Sequence, residues 1–417
     1  MNTGVWENLY QSIQVPRLDP VVTGFNANID RVIPVTPDIL RSLEHLAVQG
    51  FDTILDRLKQ SMRYCTADEI FIREPSVYVR LLQSFSRSGV LSLGGQAGIA
   101  AVHLRSLGMP LVTCAVPGAG PMTCTLLQEA GAFPMTFEPE ASERSDIIHL
   151  IFEYSPGLVP IADGVVPRSN RFIVSPVHNS STVLIPHASV NTFLEQIIAC
   201  RRAFLSGYQY LQTHHEFVTA ARQIRMIQRV NPLMRTHVEC VSGADRKVMT
   251  MMLRHIIPNT DSMGLNEREL GLFTHVLRAH DPASAAIVPS SPVDCIRDAV
   301  ALADATGVPR IHLHTFGYYL LILKSETPTP ELSRNALLFA ARVTANAAGL
   351  KEQVLSREGL LAYAAVRDML GPDEAPGIFR YDNRIIVLIP TYISPHIQKT
   401  TGLGDILSST AFVADQF

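Results

Sequence analysis

A chain of 417 residues with 47% hydrophobic and 18% charged side chains can bury a large core, and its length suits one big domain carrying a smaller one. The net charge of −3 and the pI near 6.5 leave no basic footprint, which excludes extended nucleic-acid binding. No apolar run approaches the ~20 residues of a membrane span, and the start Met1-Asn2-Thr3-Gly4-Val5-Trp6-Glu7 lacks the regions of a signal peptide, so a cytoplasmic, membrane-free protein is expected.

In chain order, strands are expected at Val21 to Phe25, Leu111 to Val116, Ala203 to Tyr208, Thr236 to Cys240, Arg310 to His314 and Ile385 to Ile389. Between them run helical periodicities such as Val218, Ala221, Ile224 and Ile227, or Val293, Ile296, Val300 and Leu302. This alternation predicts an α/β fold whose parallel sheet is covered on both faces. Two stretches break it. Polar helical patterns fill about Arg31 to Leu91, and Ile147 to Tyr154 is expected to pair with Arg171 to Val174 across a Pro- and Gly-rich loop. The expected division is therefore a large domain over 1–30, 92–144 and 178–417, with a small lid over 31–91 and 145–177. Six scattered cysteines without a C-x-x-C pair read as buried thiols, not a disulfide framework or a zinc site.

The most telling motif is Gly402-Leu403-Gly404-Asp405 ahead of the helix-like run Ile406 to Phe412. Two glycines let successive amide N–H groups converge at a helix start, which suits an anion. A carboxylate there repels that anion unless it has separate work, and taking a proton from an attacking hydroxyl is such work. Phosphoryl transfer to an alcohol is the chemistry implied. Upstream, Asn26, Asn28 and Asp30 alternate at the end of the first strand and offer amide and carboxylate groups to a polyhydroxyl ligand; the competing reading is a self-satisfied Asx turn. Gly94-Gly95-Gln96 opens a helix either for close ligand approach or for tight packing. Glu239 at a strand end, with Asn266 and Glu269 three apart on a helix face, supplies hard oxygen donors suited to magnesium. Asn266 and Glu269 also fit a capping box, and both readings can hold together. His312 and His314 share a strand face but lack a third ligand, so a metal pair is not expected.

Taken in order, these motifs resemble the ADP-dependent sugar kinases, the archaeal glucokinase and phosphofructokinase family of the ribokinase-like superfamily. The resemblance runs from Gly24–Asp30 through Gly94–Gly98, Ile148–Tyr154, Asn170–Ile173, Ser206–Gln209, His237-Val238-Glu239, Asn266-x-x-Glu269 and His314–Tyr319 to Gly402–Asp405. It implies a large Rossmann-like α/β/α domain with a smaller, mostly β lid, ADP as phosphoryl donor, AMP as product and Mg2+ as cofactor. It further implies Asp405 as catalytic base and metal-associated, Gly402 and Gly404 as anion hole, and Asn28, Asp30, Gly95 and Gln96 as sugar-binding. Glu239, Asn266 and Glu269 fall on metal-associated positions, His314 and Leu403 on nucleotide positions, and His149 and Arg171 where relatives meet sugar and phosphate. The chain departs from the family in carrying Thr401 before Gly402 and in a shortened stretch between Glu74 and Gly94. That region holds the glutamate selecting glucose over fructose 6-phosphate; Glu74 is the expected counterpart and Glu69 its competitor.

The expected partners are a sugar or sugar phosphate and ADP, for a monomer or small homo-oligomer. Fructose 6-phosphate ranks first as acceptor because Arg168 and Arg171 can face a sugar phosphate; glucose, or both, ranks second. An ATP-dependent ribokinase-type kinase leaves the His-Val-Glu and Asn-x-x-Glu motifs unexplained, and a silent sugar or nucleotide sensor has no use for Asp405.

Overall fold

The computed structural model describes residues 3–47, 51–65, 68–137, 145–157, 160–161, 164–167, 169–177, 182–241, 245–278, 288–327, 329–349, 354–393 and 402–415. Among the described residues, ten strands form the large sheet. Seven are parallel, in the spatial order Arg310–His314, Ser262–Asn266, Arg235–Glu239, Arg202–Leu205, Val21–Gly24, Val112–Ala115 and Phe133–Met135. Three antiparallel strands, Tyr318–Lys324, Arg384–Pro390 and Ile378–Tyr381, extend one edge. The runs Leu320–Leu323 and Ile385–Ile389 are fully apolar because both sheet faces are covered there.

The helices stop and start where local chemistry dictates. His214–Val230 opens on a reciprocal capping box between Thr213 and Glu216. Pro292–Thr306 starts at the Ser291 cap and ends on Gly307 in the left-handed region. Leu403–Ala414 is buried from Ile406 onward, its Ser408, Ser409 and Thr410 included, and packs between Pro330–Ala347 and Gln96–Ser106. The expected strands recur with small shifts. The one at Ala203 stops at Leu205, since the chain turns at Gly207 into a 3-10 turn over Tyr208–Tyr210.

A second sheet of five strands runs Asp68–Ile72, Asn170–Pro176, Ile148–Tyr154, Asn28–Pro34 and Val90–Gly94. Alternation sorts its side chains. Leu150, Phe152, Tyr154, Phe172 and Val174 face three helices, Pro37–Leu46, Asp52–Tyr64 and Pro75–Ser84, in one apolar cluster with Leu58, Leu81 and Phe85. Phe85 and Phe152 meet edge to face at 5.3 Å. The opposite register positions, Asp30, His149, Ile151, Arg171, Ile173 and Glu69, line a cavity. This sheet begins at Asn28 and includes Val90–Gly94, so its strands reach past the breaks expected at 31 and 91. The strand Asp68–Ile72 was not foreseen, because its sequence, Asp-Glu-Ile-Phe-Ile, lacks clean alternation.

Candidate active site

A cavity of about 470 Å³ opens where the C-terminal ends of the parallel strands meet the free face of the small sheet. Its lining includes Asn28, Asp30, Gly95, Gln96, His149, Arg171, Glu239, Asn266, Glu269, His314, Gly402, Gly404 and Asp405. Thirteen residues singled out in the sequence, scattered from position 28 to 405, thus share one space.

At one end, Asn28 Nδ2 donates to Asp30 Oδ1 at 2.7 Å. Among the described residues the carbonyl oxygens Asn28 Oδ1 and Gln96 Oε1 are buried without a hydrogen-bond partner, acceptors that a ligand's hydroxyl groups would satisfy. Burial, opposed by Asn28 and Arg171, raises Asp30 to about 7. Across the cavity, Glu69 is set by two contacts: Ser175 Oγ donates to its Oε1 at 2.6 Å, and Arg57 donates to its backbone carbonyl at 2.8 Å. Arg57 also forks onto Asp68 at 2.9 and 2.6 Å. Burial raises the Glu69 carboxyl.

At the other end, Gly402 has φ +76°, a left-handed conformation glycine adopts without strain, and it turns the chain into the helix that starts at Leu403. A Cβ on Gly404 would come within 3.2 Å of His314 Nε2, so the glycine keeps that backbone close to the histidine. Asp405 in the first turn hydrogen-bonds Gln96 and senses Arg171; burial outweighs both and lifts its carboxyl to about 7. Burial also lowers His314 to about 4, keeping it neutral.

Asn266 and Glu269 close a reciprocal pair, Asn266 N–H to Glu269 Oε2 at 2.8 Å and Glu269 N–H to Asn266 Oδ1 at 3.0 Å, which is the capping box. Glu239 accepts from His237 Nε2 at 2.9 Å and from Ser408 Oγ, while its Oε1 stands 3.9 Å from His314 Nδ1. Burial is the main cause raising Glu239 well above the ordinary range and Glu269 to about 8, and Asp405 adds to both shifts. Two buried glutamates, both raised by the neighbouring Asp405, make with it a donor set short of a cation. Among the described residues, no three His, Cys, Asp or Glu side chains stand in direct metal-binding geometry. The hard oxygen donors of the set suit magnesium, an ion that usually keeps several of its waters.

A second cavity of about 710 Å³ adjoins the first and is more apolar, lined by Phe316, Tyr319, Ala345, Ala348, Ile393 and Leu403, with His314 and Gly404 at the junction. Both positions marked for nucleotide lie on it. One expectation needs correcting. Glu74 stands exposed at the start of the helix Pro75–Ser84, bonded by Ser76, away from both cavities, and Glu69 occupies the cavity face instead. The unforeseen strand causes the swap, since its pleat aims Glu69 at the same face as Ile173. Arg168, Thr400 and Thr401 lie outside the described residues. Sequence reasoning missed Arg57, Tyr210, Arg268 and Ser408, which carry no local signal. All six cysteines are free, five buried and Cys124 half-buried.

Residues 19–414 match the family model described as the ADP-specific Phosphofructokinase/Glucokinase conserved region. The chain belongs to this family. It is an ADP-dependent sugar kinase. An ADP-dependent glucose/glucosamine kinase of Pyrococcus furiosus is 29% identical, with 98% of each chain covered. An ADP-specific phosphofructokinase of the same organism is 25% identical over 94% of this kinase and 96% of that protein. A solved ADP-dependent kinase in complex with fructose-6-phosphate and ADPbetaS shares the fold at a TM-score of 0.80 and 22% identity, covering 99% and 96% of the two chains. The α/β fold is thus that of the ADP-dependent kinases. No helix among the described residues is long and apolar enough to cross a membrane.

Proposed function

We propose that this kinase transfers the β-phosphoryl group of ADP to a hydroxyl of glucose, releasing AMP. The observation that carries the choice of acceptor is Glu69, a carboxyl on the cavity face oriented by Ser175. With Asp30 and Asp68 it makes the acceptor end acidic, and the Arg57 guanidinium is already forked onto Asp68. A neutral hexose gives such carboxylates hydroxyl donors, whereas a sugar phosphate brings a dianion against them. This reverses the order in which Arg168 and Arg171 ranked the two sugars. Fructose 6-phosphate is the second reading, favoured by Arg171 on the same face and by the phosphofructokinase relatives.

In the proposed reaction the acceptor hydroxyl attacks the β-phosphorus in line, its proton passes to Asp405, and AMP leaves. A carboxyl at about 7 is matched to accepting that proton near neutral pH. The amides of Gly402 to Asp405 and the Arg171 guanidinium face the charge on the moving group. Asn28, Asp30, Gln96 and His149 orient the sugar, and the apolar second cavity takes the adenosine part of the donor. Magnesium would be held by Glu239, Glu269 and Asn266 through water and would neutralise the diphosphate. AMP release measured side by side with glucose and fructose 6-phosphate tests the choice. A kcat/KM at least about tenfold higher for glucose is expected, and the opposite order overturns it.

A further inference from the structure

One face of the large sheet carries a polar row that the reaction above does not use. The register sets His237, Ser262 and Arg310 side by side on adjacent strands, under the helix Leu403–Ala414. All three are buried. Asp415, just past that helix, accepts from Arg310 Nε at 3.0 Å and from Ser333 Oγ at 2.8 Å, which fixes the guanidinium. Arg310 Nη1 then donates to Ser262 Oγ at 2.9 Å, and Ser262 Oγ lies 2.8 Å from His237 Nδ1. His237 Nε2 reaches Glu239 Oε2 at 2.9 Å.

Donor logic gives this row a direction. A guanidinium only donates, so the Ser262 oxygen receives from Arg310 and its own hydrogen needs an acceptor. Within the described residues His237 Nδ1 is the acceptor in reach, and leaving a buried hydroxyl hydrogen unpaired is costly. His237, stacked on Phe204 at 5.1 Å and against Phe412 at 5.0 Å, therefore carries its proton on Nε2 and donates to Glu239. Ser408 donates to the same oxygen, which leaves Glu239 Oε1 for the cavity. Gly264 provides the room: a Cβ there would lie 2.0 Å from Glu239 Oε2 and 2.8 Å from His237 Nε2.

We infer that Arg310 and Ser262 are positioning residues that fix the Nε2–H tautomer of His237 and so present the second oxygen of Glu239 to the phosphoryl-transfer site. The inference rests on the proposed part of Glu239 in magnesium binding. Its test uses the full-length protein with 15N-labelled histidine. In Ser262→Ala, imidazole NMR is expected to show His237 losing its single Nε2–H form for a mixture, while the magnesium needed for half-maximal ADP turnover rises ~10–100-fold and the sugar KM holds. A His237 signal unchanged in Ser262→Ala overturns the inference, as does a changed tautomer with an unchanged magnesium requirement. Ser262→Cys, isosteric with a poor donor, gives the same readings if the alanine variant does not fold. Glu239→Gln separates the two levels: normal magnesium dependence in that variant removes Glu239 from the site itself, whatever the tautomer of His237.

Discussion

The two halves of the cavity are built differently. On the large-sheet side, Gly402, Asp405, Glu239 and Asn266 sit at strand ends or in the first turn of a helix, positions set by backbone geometry and local capping. On the small-sheet side, Asp30, Glu69, His149 and Arg171 project from strand interiors, and their aim depends on pleat and register. The proposed chemistry belongs to the first half and the proposed acceptor selection to the second. Chemistry common to a family can rest on robust local motifs, while selectivity can be retuned by one register-dependent side chain.

Substitutions should separate the halves. Asp405→Asn is expected to lower kcat by ~10²–10⁴-fold with the sugar KM nearly unchanged, since only the proton acceptor is lost; steady-state turnover near wild type would move the base elsewhere. Phe152→Ala empties a fully buried site in the small-sheet core and is expected to cost ~3–5 kcal/mol. Chemical denaturation followed together with limited proteolysis checks this, and early cleavage confined to the large-sheet segments would contradict it. Glu69→Ala is expected to raise the glucose KM ~10–100-fold with a smaller change in kcat, the loss of one charge-assisted hydrogen bond. Equal losses for glucose and fructose 6-phosphate would deny Glu69 a selective part.

The pH effects are milder. With Asp30 and Asp405 both raised to about 7, kcat/KM should climb as pH rises through 7 and level off above, more steeply than one ionisation gives. A flat profile there would show both carboxyls already ionised. Stability should run the other way. Asp30, Asp405 and Glu269 keep protons in the folded protein up to about 7, 7 and 8, while the unfolded chain releases them near ~4. Between those limits the folded state binds more protons, so stability present at low pH is lost as pH rises. The thermal midpoint of ligand-free protein in chelator should fall from about pH 5 to pH 8, and a rising midpoint would contradict the raised carboxyls.

The amino-acid sequence by itself determined the α/β alternation, the strand ends and the nature of the Gly402–Asp405 loop. It also held the capping pair Asn266 and Glu269, because each of these is written within a few residues and enforced by backbone hydrogen bonding. Tertiary structure decided which glutamate faces the sugar, since Glu69 is aimed by a strand paired with Ile173 and held by Ser175, 106 positions away. It likewise decided how Glu239 is held, through a serine 169 positions further on and an arginine two strands over. A local pattern can specify which groups a strand end offers; only the packing of distant strands and a buried helix determines where each group points and what charge it carries.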